Sequence, residues 1–468
     1  MDQFFSVQSF LIFFFLLSIY IYLISNTSKK KPIHKGFNVY LILGTLPELL
    51  QNRHRFLDWT TKTLDKCPTN TSVFWRPGKI QGVITLNPSN VEHMLKTNFE
   101  NYPKGDCIIT LLGDFLGRGI FNSDGELWMV QTKTASYEFN TKSLRGKPTE
   151  TASVLNFQDI LERFAFDNVC KLAFNVDPGC LGGDGTVGAK FMRAFGDAAM
   201  LSSGRFLYAI PILGKLKKFL NIGSERRLRD AIGTVHEFAD DIIRSRLEQK
   251  VDKDADLLSR FIANEANSPE FLRDIVISFI LAGRDTTSST LSWFIWLLSS
   301  KPDVKRNILK ELGKIRAHGG KNCGDSYTFD ELRDMQYLHA AIKEAMRLYP
   351  PVPIDTKACL NDDIMPDDTF VKKGWIVAYH TYAMGRMEGI WGKNCREFLP
   401  ERWLENGVCR QVSPYKFPVF HAGPRICLGK ELAYTQMKSI AASMIERFEI
   451  EVVNKDKGVA GGDKNSEQ

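Results

Sequence analysis

One stretch, Phe271 to Ser300, constrains the fold of this 468-residue chain more than any other. No proline interrupts it between Pro269 and Pro302, and apolar residues cover nearly every face around its centre. As a single helix it would run roughly 45 Å, about a domain's diameter, and apolarity all round demands burial. A chain built around such a helix is predicted to be mainly α. Further helical periodicity covers Pro302–His318, Thr328–Leu348 and Lys430–Phe448. A smaller β region is predicted at Val73–Trp75 and Gly82–Leu86, followed by a helix over Pro88–Phe99 begun near Asn87. The centre of the long helix reads Ala282-Gly283-Arg284-Asp285-Thr286-Thr287. A glycine, an acid and two hydroxyls inside a buried helix cost stability unless satisfied or used. Either the helix faces a polar cleft or this turn is a functional site, and the conflict between local rule and burial favours the site.

The N-terminal end carries a second apolar run. Phe4 to Ser25 contains no charge and would span roughly 33 Å as a helix, enough to cross a bilayer core. A cleaved signal peptide is the alternative. Against it stand Asp2, the lack of Lys or Arg before the run, and the run's length. Lys29, Lys30, Lys31 and Lys35 follow, so the expected arrangement is an anchor over 1–25, a polar tether over 26–36 and a cytosol-facing domain over 37–453. Residues 454–468 are Gly- and Lys-rich and are predicted to be disordered. Nine cysteines show no Cys-x-x-Cys pairing, which argues against both a zinc site and, in the cytosol, a disulfide framework. The net charge of +7 suits a membrane surface or an acidic protein partner better than nucleic acid.

The strongest signal is the run Phe420-His421-Ala422-Gly423-Pro424-Arg425-Ile426-Cys427-Leu428-Gly429, which leads into an amphipathic helix from Lys430. A lone cysteine is in general more often a small buried hydrophobe than a ligand. Here the helix N-terminus and the amides of a Gly-rich loop can donate to a thiolate and hold it deprotonated. Gly423 and Gly429 let the backbone turn closely around the sulfur. Arg425 can meet an anionic group at the edge of a flat cofactor.

This run, F-x-x-G-x-R-x-C-x-G, resembles the cytochrome P450 signature in full. Ala282 to Thr287 resembles that family's oxygen-binding helix, Glu344-Ala345-Met346-Arg347 its E-x-x-R helix, and Pro400-Glu401-Arg402-Trp403 its P-E-R-F-like segment. The resemblance implies a haem-thiolate monooxygenase: a mainly α P450 fold with a smaller β region, behind an N-terminal transmembrane helix in the endoplasmic reticulum. It implies haem b with Cys427 as axial ligand, and Phe420, Gly423, Arg425, Trp128 and Lys357 around the cofactor. NADPH is implied only indirectly, through a separate reductase docked near Lys133, Lys416 and Lys430. Thr286, helped by Asp285, is expected to organise waters for proton delivery. Glu344, Arg347 and Arg402 are expected to form a buried structural charge network.

Several runs are similar to the plant fatty-acid ω-hydroxylase branch: Asn101 to Gly105, Gly113 to Phe121, Ala165 to Asn168, Tyr382 to Arg386 and Phe420 to Gly423. That likeness implies a substrate with a flexible hydrocarbon end, whether a fatty acid, a jasmonoyl–amino acid conjugate or a sterol side chain. Leu111, Leu112, Phe115, Phe206, Leu207, Val352 and Ile354 are candidate walls of an apolar channel, with plain core as the competing reading of each. Three departures stand against the family pattern. Its W-x-x-x-R reads Trp128-Met129-Val130-Gln131-Thr132, about one helix is missing after Ser143-Leu144-Arg145, and the final strand pair is missing after Glu451-Val452-Val453. The alternative to a working enzyme is therefore a truncated, haem-deficient or inactive variant with a binding role.

Overall fold

A computed structural model describes residue 18 and residues 36–453, apart from 41–42, 78–79, 137–155, 208–210, 249–255 and 265. The expected anchor apart from residue 18, most of the tether, the 454–468 tail and the segment where a helix was expected to be missing lie outside the described residues. No described helix is long and apolar enough to cross a membrane.

Ten helices position the site: α1 (Asp106–Leu116), α2 (Gly125–Ser136), α3 (Phe157–Phe174), α4 (Val187–Gly204), α5 (Pro211–Leu220), α6 (Ser224–Glu248), α7 (Pro269–Leu298), α8 (Pro302–Gly319), α9 (Gln336–Leu348) and α10 (Lys430–Arg447). The long apolar stretch is indeed one 30-residue helix, α7. Ser268 caps it by accepting from the Phe271 amide, and Pro269 fills its first turn, where the missing N–H costs nothing. Its first half packs with α3 and α6, in the core that holds Ile275, Ile277, Phe279 and Ile280. Its second half packs with α8, α9 and α10 through Leu291, Phe294 and Leu298. The helix is apolar nearly all round because it serves two cores.

The β region holds a four-stranded sheet, ordered β1 (Thr71–Arg76), β2 (Ile80–Thr85), β6 (Ile376–Tyr379), β3 (Asp355–Ala358). β2 and β6 run parallel and the outer pairings are antiparallel. A hairpin of β4 (Asp363–Ile364) and β5 (Phe370–Val371) stands beside it in the chain.

Two expected helices are broken. Pro88–Phe99 starts as read, with Asn87 accepting from the Ser89 amide, but after Glu92 it widens into a π turn over His93–Thr97. Thr328–Leu348 divides into Phe329–Asp334 and α9, because Met335 leaves the helical region (ψ 82°) to bury its side chain completely. The restarted helix is capped from a distance: the Glu311 carboxylate on α8 accepts from the amides of Tyr337 (2.7 Å) and Leu338 (2.9 Å).

Candidate active site

The cysteine loop is two single 3₁₀ turns, Pro418–Phe420 and Gly423–Arg425, running into α10. It closes where the Cys427 amide donates to the Phe420 carbonyl at 2.9 Å. The Phe420 ring lies 5.0 Å from Tyr434 of α10. Gly423 sits at φ +64°, and a Cβ there would collide with the Leu95 carbonyl oxygen in the π turn. Only glycine allows that approach. His421 also occupies the left-handed half of the map (φ +61°), a strained position for a residue with a side chain. Leu428, which follows the cysteine, packs on the core cluster that holds Phe279 and Ile280 of α7. The helix that follows the loop, α10, packs against α7.

The sulfur sits where opposing influences meet. Cys427 is exposed, yet enough protein surrounds its sulfur that desolvation pushes the thiol up, against smaller downward pulls from the Gly429 amide and Lys430. A bound cation must displace the proton, as metal ligation by cysteine generally does.

Around the loop the fold collects buried cations. The Arg425 guanidinium lies over the Trp128 ring at 4.4 Å and donates to the Asp124 carboxylate (2.5 Å) and the Ser123 carbonyl (3.0 Å). Its buried Nε has no hydrogen-bond partner among the described residues. Lys357 on β3 is wholly buried, with its Nζ 3.2 Å from His421 Nε2 and 3.4 Å from the Asp355 carboxylate. Burial, followed by the repulsion of Lys104 and Arg425 against the pull of Asp355, brings its pKa down to about 7. An orphaned guanidinium N–H beside strained, buried cations is the donor set that an anionic cofactor edge satisfies. These residues fit a haem with its propionates at this edge. The exception is Thr132 on α2, whose hydroxyl is buried and has no partner among the described residues.

The E-x-x-R residues form a closed network. The Arg347 Nε and Nη2 each donate to Glu344 at 2.7 Å, and its remaining N–H groups reach the carbonyls of Gly385, Cys395 (2.5 Å) and Glu397 (2.9 Å). Glu344 also accepts from Arg402 Nε (3.3 Å), the Leu399 amide (3.0 Å) and the Trp403 indole (2.8 Å). The Glu344 and Arg347 side chains are fully buried. Gly385, in the Tyr382 to Arg386 run, leaves room for the Arg347 carbonyl.

In the centre of α7, Gly283 is explained by packing: a Cβ would strike Val169 of α3. Thr286 donates to the Ala282 carbonyl at 2.6 Å, which satisfies the hydroxyl hydrogen and leaves its oxygen open to accept. Asp285 keeps about a third of its side chain exposed (35%) while burial lifts its carboxyl to about 6, against the pull of Arg284.

The channel candidates scatter. Phe115 belongs to the packed core, edge-to-face with Phe195 at 5.1 Å, because it lies on the buried face of α1. Leu112 packs on the same core and Ile354 on the sheet core. Leu111 and Phe206 are half-buried, Val352 is half exposed (49%), and the side chain of Leu207 lies outside the described residues. Sequence reasoning missed Asp124, Asp355, His421 and Glu162 as partners of the site. Asp124, His421 and Glu162 act on residues far away in the chain, where no local pattern marks them, while Asp355 and its partner Lys357 share one strand.

The family model described as Cytochrome P450 matches residues 35–460. Cytochrome P450 CYP94D108 of Paris polyphylla is 52% identical over 88% of this chain and 86% of its own length. Cytochrome P450 94B1 of Arabidopsis thaliana is 46% identical over 88% and 85%, and Cytochrome P450 94A1 of Vicia sativa 44% identical over 88% and 84%. With four motifs in order, a cation-lined loop fitted to haem and this likeness over nearly its full length, the chain belongs to the cytochrome P450 family, monooxygenases that carry a cysteine-ligated haem and take NADPH-derived electrons from a reductase.

Proposed function

We propose that the chain hydroxylates an unactivated C–H bond at the end of a lipid-like chain, the ω-position of a fatty acid first, with a jasmonoyl conjugate or sterol side chain as alternatives. The observation that carries this reading is the Asp285–Thr286 turn at the centre of the long buried helix α7, against which the helix following the cysteine packs. The runs shared with the plant fatty-acid ω-hydroxylase branch support it, as do relatives numbered 94 and 86. Spectral titration of the reduced and oxidised protein with fatty acids, a jasmonoyl conjugate and a hydroxysterol tests it, followed by product analysis. Oxidation only at internal carbons overturns the terminal assignment.

In this reading Cys427 holds the iron, Arg425, Lys357 and Trp128 hold the propionate edge, and Phe420 and Gly423 shape the loop. Once bound, the haem supplies dioxygen activation, and electron donation from the thiolate favours O–O cleavage. Thr286 presents an acceptor oxygen to water, and Asp285 loads and releases a proton near neutral pH. Because its folded-state pKa is raised to about 6, this acid adds stability below its unfolded pKa and loses it as pH rises through about 6. Turnover is expected to show an acid-side inflection near that pH, which Asp285→Asn removes. An inflection unchanged in Asp285→Asn excludes the role.

Residues 1–25 are the proposed endoplasmic-reticulum anchor, tethered by 26–36. Lys133 and Lys416 are exposed and Lys430 half-buried, which suits docking of an acidic reductase face. The K133E/K416E double variant should slow flavin-to-haem reduction while leaving spectral substrate affinity unchanged; unaltered reduction rates remove the docking assignment.

The orphaned Thr132 hydroxyl favours a second reading, weak haem retention. Replacing it by Arg (Thr132→Arg) should raise the haem-to-protein ratio of the purified protein, a charge-assisted contact being worth roughly 1–3 kcal/mol. An unchanged ratio places the retention elsewhere.

A further inference from the structure

Arg284 is an unexpected residue for the middle of a helix buried on both sides, yet only 4% of it is exposed. Its guanidinium is shared between two carboxylates. One Nη lies 2.9 Å from Asp285 on the same helix, and the other donates at 2.7 Å to Glu162 of α3. α4 covers the fork from a third side, its Phe195 ring 5.4 Å away. Glu162 is partly exposed and accepts at 3.0 Å from the amide of Gln158. Among the described residues, the charges acting on Asp285 are Arg284, which lowers its pKa, and Glu162, which raises it. The adjacent charge on α3, Arg163, is engaged elsewhere, by Asp159 and Asp184.

A cation between two anions can release one without being left bare. When Asp285 takes up a proton, its hold on Arg284 weakens, and Glu162 still neutralises the guanidinium. If Glu162 were neutral, Asp285 would be the only countercharge of a buried arginine, and releasing it would leave an unpaired ion.

We propose that Glu162 is a positioning residue for proton delivery: acting through Arg284 from a neighbouring helix, it sets how readily the Asp285 carboxyl lets go and enters the relay. This rests on the proton-delivery role of Asp285 given above. The step itself only moves a proton from solvent to the Asp285 carboxylate and on to water at Thr286.

The test compares Glu162→Gln, Arg284→Gln and Asp285→Asn in the haem-loaded, full-length protein, each normalised to its thiolate-haem content. Glu162→Gln removes the charge that disfavours ionised Asp285, so the acid-side inflection of turnover should fall by about half to one pH unit. At neutral pH its kcat should drop severalfold with KM unchanged, the solvent isotope effect should rise, and less product should form per NADPH. Arg284→Gln should move the inflection the opposite way. Opposite shifts support the proposal. Loss of haem content in both variants with an unmoved inflection makes the cluster merely structural and overturns it. If Asp285→Asn leaves the inflection in place, the relay reading itself fails, and that result is separate from a failure of Glu162 alone.

Discussion

Replacing Cys427 by serine is expected to remove the thiolate-haem carbon-monoxide difference band and reduce turnover to background, the largest effect of any single change in this chain. The loop geometry should survive, because its closing bond uses the Cys427 amide, donated to the Phe420 carbonyl at 2.9 Å, and not the sulfur. The substitution therefore isolates the ligand atom. A serine hydroxyl is a far weaker acid than a thiol and a poorer partner for a haem iron. Desolvation already pushes the native thiol up, so little in the loop would help a serine to ionise. A variant with an unchanged Soret spectrum and unchanged turnover would show that the sulfur is not the axial ligand.

The second large effect is on stability. Glu344→Ala strips the buried Arg347 of its carboxylate and leaves the Trp403 indole and the Leu399 amide without their acceptor. Breaking one partner of a buried ion pair typically costs roughly 3–5 kcal/mol. The variant should unfold at clearly lower denaturant concentration and lose haem on purification. Arg347→Lys should behave similarly, since an ammonium cannot reproduce a fork that serves one carboxylate and three carbonyls. Equilibrium unfolding measures both, and a loss below about 1 kcal/mol in either would mean that the network is not a main anchor of this region. The network links α9 to the 385–403 segment that precedes the cysteine loop. Its failure should therefore appear as haem loss before global unfolding.

Much of the architecture could be read from local pattern. The proline-free apolar run became α7 within a residue or two of its expected ends, since Ser268 and Pro269 make a local start signal. The motif residues were legible because each is short and ordered: the loop glycine at 423, the Glu344–Arg347 pair one helical turn apart, the Asp285–Thr286 turn. Boundaries failed where a distant group intervened. The break at Met335 depends on a core pocket for its side chain and on Glu311 of another helix capping the restart. Plain core was the better reading of Phe115 from sequence, and its edge-to-face contact with Phe195 agrees with packing there.

The chain's own order of residues determined the mainly α class and the helix around which it is built, because periodicity acts over a few residues, while Cys427 as the sulfur ligand followed from the resemblance of its loop to the family signature. Tertiary structure alone decided the charge partners: Asp124 on Arg425, Asp355 and His421 on Lys357, Glu162 on Arg284. Apart from Asp355, which shares a strand with Lys357, these partners come from segments far apart in the chain and meet only once the cores have closed. Desolvation in that closed interior, not proximity along the chain, makes each of these charges depend on its partner.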